Sequence, residues 1–302
     1  MTVTKRIKIR LREPLSRWFI KLLALLPLPL NHGFAWCIGR LLILLPNSLK
    51  TISQTNINLC FPQMSVTQAK QLCHQSLIET AKAAAETGPL WLWPKNKALG
   101  LIKQVSGEEH VTQALAQGKG VIIIAPHLAC WEAIGMYLTP KYPMTTLYRP
   151  HPIASLDSMM RYGRERMSGK LAPTDASGVR VLMQALKKGE IIGILPDQDP
   201  GHDGGEFAPF FNIQANTITL LAKLAHKTQA AAIPAYAERL SAGHGYHLRF
   251  FAPVAEIADA DVAIALTSLN QCVEDLIRRC PSQYQWGYKR FRTRPEGEKS
   301  FY

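Results

Sequence analysis

The stretch Gly120-Val-Ile-Ile-Ile-Ala-Pro-His-Leu-Ala-Cys-Trp-Glu132 constrains this chain more than any other. Val121 to Ala125 is a short apolar run, mostly β-branched, with no polar residue in it, which is the pattern of a strand covered on both faces of a parallel sheet. Pro126 stops it, and from Leu128 to Leu138 the apolar residues take a helical spacing. His127 therefore falls at the turn leaving the strand, where α/β folds gather ligands and chemistry. Two residues five apart on one regular helix point roughly 140° apart. His127 and Glu132 can meet only if the histidine sits before the helix and the glutamate reaches back from its first turns. In that arrangement the carboxylate accepts a proton from one imidazole nitrogen and leaves the other basic toward a substrate hydroxyl. The same spacing also fits a histidine capping a helix and a glutamate on its wet face.

The rest of the chain reads as an α/β alternation around this stretch. Val105 to Gly118 reads as a strand end and a helix, Pro143 to Tyr148 as a strand ending at Arg149, and Ile153 to Met167 and Gly178 to Lys188 as helices. Glu190 to Leu195 is another apolar strand, emptying into Pro196-Asp-Gln-Asp199. Three strands thus deliver His127, Arg149 and Asp197 to one edge of a sheet. Phe207 to Phe211, a helix from Asn216 to Lys227, a strand from Ala230 to Tyr236, an edge strand from Tyr246 to Pro253 and a last helix from Asp261 to Cys280 complete the pattern. With 302 residues, 47% of them apolar, one large α/β domain over 47–302 is the expectation, with helices from Asn47 to Thr87 and Ser65 as the cap of the longer one.

Residues 1–46 differ in character. Lys5, Arg6, Lys8, Arg10, Arg12 and Arg17 form a basic tail, followed by apolar runs from Trp18 to Leu30 and from Phe34 to Leu45, parted by Asn31-His-Gly33. Each run is about a dozen residues, roughly 20 Å as helix against about 30 Å of hydrocarbon. No small-residue cleavage site follows, so a signal peptide is rejected. Half-embedded helices with the basic tail on anionic headgroups suit these lengths, and a tilted or kinked span is the alternative. The formal charge of +13 calls for an anionic partner. Nucleic acid is not expected, because the aromatics are not interleaved with the bases. The six cysteines are scattered without a C-x-x-C, so they read as reduced and mostly packed, Cys130 included.

His127-Leu-Ala-Cys-Trp-Glu132 resembles the histidine, four residues, acidic motif of the lysophospholipid acyltransferase superfamily. Asn58-Leu-Cys-Phe-Pro62, Tyr148-Arg-Pro150, Leu195-Pro-Asp-Gln-Asp199, Phe207 to Phe211 and Trp286 to Pro295, in this order, resemble its lipid A late acyltransferase branch, the lauroyl and myristoyl transferases. The resemblance implies a glycerol-3-phosphate-acyltransferase-like mixed sheet flanked by helices, behind an N-terminal membrane-attaching segment. It implies O-acyl transfer from acyl carrier protein to a hydroxyl of an anionic lipid A precursor, with no cofactor and no metal, on the cytoplasmic face of the bacterial inner membrane. In that reading His127 is the base, Glu132 its orienter and Arg149 the group that stabilises the oxyanion. Asp197, Gln198 and Asp199 form a substrate-site loop, Asp197 orienting Arg149 or other site groups. Arg161, Arg164 and Arg166 are spaced so that at least two share a helix face toward phosphates or the carrier; a solvated face is the bland alternative. Two rival readings stand beside it: another glycolipid or phospholipid acceptor, and a metal-dependent lipid phosphohydrolase using Asp197, Asp199, His202, Asp203 and Glu206 as hard ligands.

Overall fold

The computed structural model describes residues 3–201 and 204–302; His202, Asp203 and the side chains of the basic stretch Lys5 to Arg12 lie outside the described residues. Five helices come first: α1 (Val3–Leu25), α2 (Leu28–Leu44), α3 (Ser48–Cys60), α4 (Val66–Leu92) and the short α5 (Lys95–Leu99). Then follow β1 (Ile102–Ser106), α6 (Glu108–Ala116), β2 (Val121–Ile124), α7 (Glu132–Leu138), β3 (Met144–Tyr148), α8 (Ala154–Glu165), β4 (Lys170–Pro173), α9 (Ala176–Lys187) and β5 (Ile191–Ile194). A hairpin of β6 (Gly205–Phe210) and β7 (Ile213–Ile218) precedes α10 (Leu220–Thr228), β8 (Ala231–Arg239), β9 (Tyr246–Phe250) and α11 (Val262–Arg279).

Seven strands form one sheet in the order β1-β9-β8-β2-β5-β3-β4, parallel throughout except for the β8–β9 pair. The expected α/β class and the mixed sheet flanked by helices are therefore present. The two-sided burial of β2 follows from its side-chain alternation. Ile122 and Ile124 join Leu77, Leu182, Leu224 and Leu269 on one face, while Val121 and Ile123 join Trp91, Val111, Ala133 and Met159 on the other. All four are fully buried, which is why an uninterrupted apolar run is needed there.

Several elements differ from the expectation, each for a local reason. Phe211 and Asn212 both take left-handed φ (49° and 63°) and close a two-residue hairpin, so Asn216 to Ile218 continue as β7 and the helix starts only at Leu220. β9 is not the edge, because β1 pairs alongside it. Ser65 does cap α4, through a reciprocal box with Gln68. In the N-terminal region the break lies at Leu26-Pro27, not at Asn31-His-Gly33, which is inside α2. Asn31 and His32 are buried there: the Asn31 amide donates to the Leu23 and Ala85 carbonyls, and His32 Nε2 lies 2.7 Å from Glu86. Polar residues that look like a turn are ties between α1, α2 and α4.

No single helix among the described residues is long and apolar enough to cross a membrane; α2 and α3 pass that test only as a pair bent by 81°. Apolar side chains nevertheless face outward along α1 and α2. Trp18, Leu22 and Leu25 are 71%, 58% and 78% exposed, and Leu30, Leu41 and Leu44 are similarly open.

Candidate active site

The three strands that deliver polar residues are neighbours. β2, β5 and β3 lie side by side and parallel, so His127, Asp197 and Arg149 leave the sheet at the same edge. Asp197 is buried and both of its oxygens reach the histidine: Oδ1 is 2.8 Å from His127 Nδ1, and Oδ2 accepts the His127 backbone N–H at 2.9 Å. An ionised carboxylate only accepts, so Nδ1 carries the proton and Nε2 keeps its lone pair. Burial pushes the Asp197 carboxyl up, but its interactions with His127 outweigh that and hold the group below its ordinary value. The Gln198 amide nitrogen lies 3.3 Å from Nε2 and 3.4 Å from Gln285 Oε1, so Gln198 stands at the free side of the ring.

The expected partnership of His127 with Glu132 is not the one formed. Residues 128–131 are not helical; they cross the sheet edge through isolated bridges from Leu128 to Tyr284 and from Ala129 to Ala237, and Ala129 takes φ +57°. The Ala129 N–H donates to Gln283 O, the Cys130 N–H to Ala237 O, and His127 O accepts from the Gln285 N–H. Helix α7 begins only at Glu132, whose side chain turns toward α8. There it takes a bidentate pair from Arg164, at 3.0 Å to Nε and 2.5 Å to Nη2. Trp131 stands between the two pairs, its ring 5.1 Å from that of His127.

The other candidates separate. Arg149 is exposed and sits beyond the end of β3, two strands from His127, or roughly 10 Å across the sheet. Asp157 fixes the chain after it by accepting from Tyr148 Oη and the His151 N–H. Asp199 is buried and faces away from the histidine: it accepts from the backbone N–H of Gly201 and Thr293 and from the Asn216 amide, tying the C-terminal segment and the β6–β7 hairpin to the loop. Of the three arginines on or beside α8, Arg161 forms a surface pair with Glu165, and Arg166 donates to the carbonyls of Trp93 and Leu90. Of the three, Arg164 alone pairs with Glu132 and lines the neighbouring cavity. Among the described residues no group of three or more His, Cys, Asp or Glu side chains could hold a metal. Cys130 is buried, and burial together with Glu86 pushes its thiol well up.

A cavity lies on the face covered by α7 and α8. Trp131 and Leu195, next to the catalytic candidates in the chain, line it, as do Trp91, Met136, Met144 and Gly135, with Glu132 and Arg164 as polar members. Its lining is predominantly apolar. Sequence reasoning did not find Trp131 as its wall, nor Gln285, because neither residue type nor spacing marks them.

Against this geometry the comparisons decide the family. The family model for bacterial lipid A biosynthesis acyltransferases matches residues 10–293. The chain belongs to that family. Among curated relatives, the lipid A biosynthesis lauroyltransferase of Escherichia coli K12 is 30% identical over 92% of this chain and 90% of its own. The palmitoleoyltransferase of the same strain is 32% identical over 84% and 82%, and the myristoyltransferase 23% over 86% and 80%. Relatives named for three different acyl chains thus align over most of this lipid A acyltransferase.

Proposed function

We propose that this acyltransferase moves a fatty acyl chain from acyl carrier protein to a hydroxyl of a lipid A precursor, with His127 as general base. The observation that carries the reading is the His127–Asp197 pair, which commits Nδ1 to the carboxylate and leaves Nε2 facing only the Gln198 amide, on a loop whose Trp131 lines an apolar cavity. The acceptor oxygen attacks the thioester carbonyl while Nε2 takes its proton. The oxyanion of the tetrahedral intermediate is stabilised by Arg149, which leaves the sheet at the same edge and is in no ion pair among the described residues. Collapse breaks the C–S bond, and the imidazolium returns its proton to the departing thiolate. No protein nucleophile enters, and Cys130 is a buried neighbour. Asp197 takes the orienting part expected of Glu132; the Glu132–Arg164 pair holds α7 against α8 at the polar end of the cavity. Incubating the purified protein with acyl carrier protein thioesters and either a lipid A precursor or a lysophospholipid tests the acceptor: product from the precursor is expected, and transfer to the lysophospholipid alone contradicts the proposal.

The acyl chain occupies the cavity, which makes Gly135 a test. A β-carbon there meets no heavy atom within 4 Å, so a larger side chain enters the open volume. Gly135→Leu is expected to shift the transferred chain to shorter lengths, read by mass spectrometry of the lipid product. An unchanged length distribution would place the chain elsewhere.

The enzyme works at the cytoplasmic face of the inner membrane, held by the outward apolar faces of α1 and α2 with basic residues at headgroup depth. A low-salt wash of membranes is expected to leave it in the pellet, because apolar burial is not screened by salt. Release into the supernatant speaks against attachment through these helices.

A further inference from the structure

Two adjoining grooves that the transfer chemistry does not use flank the N-terminal half of α4, one toward the C-terminal half of α2 and the other toward α3. One is lined by Arg40, Ile43, Lys70, His74 and Ile78 and the other by Lys50, Asn58, Phe61, Lys70 and His74, so Lys70 and His74 stand on the ridge they share. No aspartate or glutamate lines either groove. The nearest acid along α4, Glu79, is committed to Lys82 and Arg239. Lys50 reaches back to the Ile43 carbonyl at 2.7 Å and closes the end of α2. Three cations and a histidine thus converge without a counter-charge. Burial, and then the charges of Lys50, Lys70 and Arg40, hold the His74 imidazole below its ordinary value, as expected where an anion is missing.

We infer that this ridge is a binding site for the phosphate of an anionic membrane phospholipid, taken by Arg40, Lys70 and His74. The inference rests on the reading that α1 and α2 attach the enzyme to a membrane. Charge complementarity and position select the occupant. Arg40 lies one helix turn from Trp36 on one side and Leu44 on the other, both about half-exposed or more, and its guanidinium is 5.6 Å from the Trp36 ring. A cation, a tryptophan and a leucine on one short helix face match the boundary between headgroups and acyl chains. The site is not the acceptor's reacting position. His74 and Trp91, which lines the acyl cavity, are 17 residues apart on α4, or roughly 25 Å along the helix. Neutral His74 donates one hydrogen bond to a phosphate oxygen, and Arg40 and Lys70 supply the charge.

Full-length protein is mixed with phosphatidylcholine vesicles with and without phosphatidylglycerol, and the bound fraction is measured by flotation. Wild type is expected to bind both and to bind the anionic vesicles on the order of 10-fold more tightly, a gain that two cations at a membrane surface can supply. Arg40→Gln with Lys70→Gln, both at exposed positions, loses most of that gain and keeps binding to neutral vesicles. Lys187→Gln with Lys188→Gln, which removes the same charge at an exposed position on the opposite edge of the sheet, keeps it. Equal loss in both double variants, or an undiminished gain in the Arg40/Lys70 variant, overturns the site. Weakened use of acyl carrier protein by that variant with the vesicle gain intact assigns the ridge to the carrier and also overturns it. Wild type that binds no vesicle at all refutes the attachment itself, a different result from losing only the anionic increment.

Discussion

Transfer is expected to fall by about 10²–10⁴-fold when His127 becomes alanine, and by a similar order when Asp197 becomes asparagine, with the fold intact in both. The first change removes the base. The second keeps the size of the side chain and deletes only the charge and one acceptor. An amide at position 197 can present its NH₂ to Nδ1 and so favours the tautomer with the proton on Nε2, the wrong nitrogen for accepting from a hydroxyl. The two effects are not additive, because Asp197 acts through His127; the double variant is expected to be no slower than the His127 variant alone. Glu132→Gln separates the roles. If Glu132 holds α7 against α8, its loss lowers stability and transfer together and leaves the pH profile of transfer unchanged, whereas a direct orienter of the imidazole would move that profile. Steady-state transfer across pH, beside thermal unfolding of each variant, reads all of this.

The largest loss of stability is expected behind the site. Arg239, at the end of β8, donates to both oxygens of Glu86 at 2.5 and 2.7 Å, to Glu79 at 2.8 Å and to the Ala129 carbonyl at 3.4 Å, while Gln283 brackets its backbone. His32 Nε2 approaches the same Glu86 from α2. One buried network therefore joins the N-terminal helices, α4 and the loop that carries His127. Arg239→Met leaves the buried Glu86 with His32 alone and Glu79 with Lys82 alone, and is expected to cost about 3–5 kcal/mol, or roughly 10 °C in melting temperature. Glu86→Leu strands the arginine with a comparable loss, and the double variant loses less than the sum. Burial raises the Glu86 carboxyl, yet Arg239 and His32 pull it down to about 2. A group depressed in the folded state stabilises most above its ordinary value of about 4.5, and that contribution fades as pH falls toward about 2. Acid unfolding of wild type in this window, absent from the Glu86→Leu variant's own pH dependence, is the expected signature.

Much of this fold was legible because the strands announce themselves. Val121 to Ile124 and Ile191 to Ile194 carry no polar side chain because both faces are buried, and parallel pairing carries the polar residues that follow them to one edge without further information. What could not be read was pairing across distance. His127 and Asp197 are 70 residues apart, Arg239 and Glu86 153 apart, and no periodicity links either couple. Glu132 drew attention because it was near in sequence, but four non-helical residues turn it away. Asn31-His-Gly33 looked like a break because polar residues in an apolar run usually are; here Asn31 and His32 find buried partners in α1 and α4.

The central claim is direct transfer with His127 as the base. It is tested by mixing purified enzyme, acyl carrier protein thioester and lipid A precursor in single turnover and following the lipid product and the intact protein mass together. The account predicts that the acyl mass passes to the acceptor without appearing on the protein, and that His127→Ala, still folded, forms almost no product. An acyl adduct on the protein that builds up as the thioester disappears, or product from His127→Ala at the wild-type rate, contradicts it.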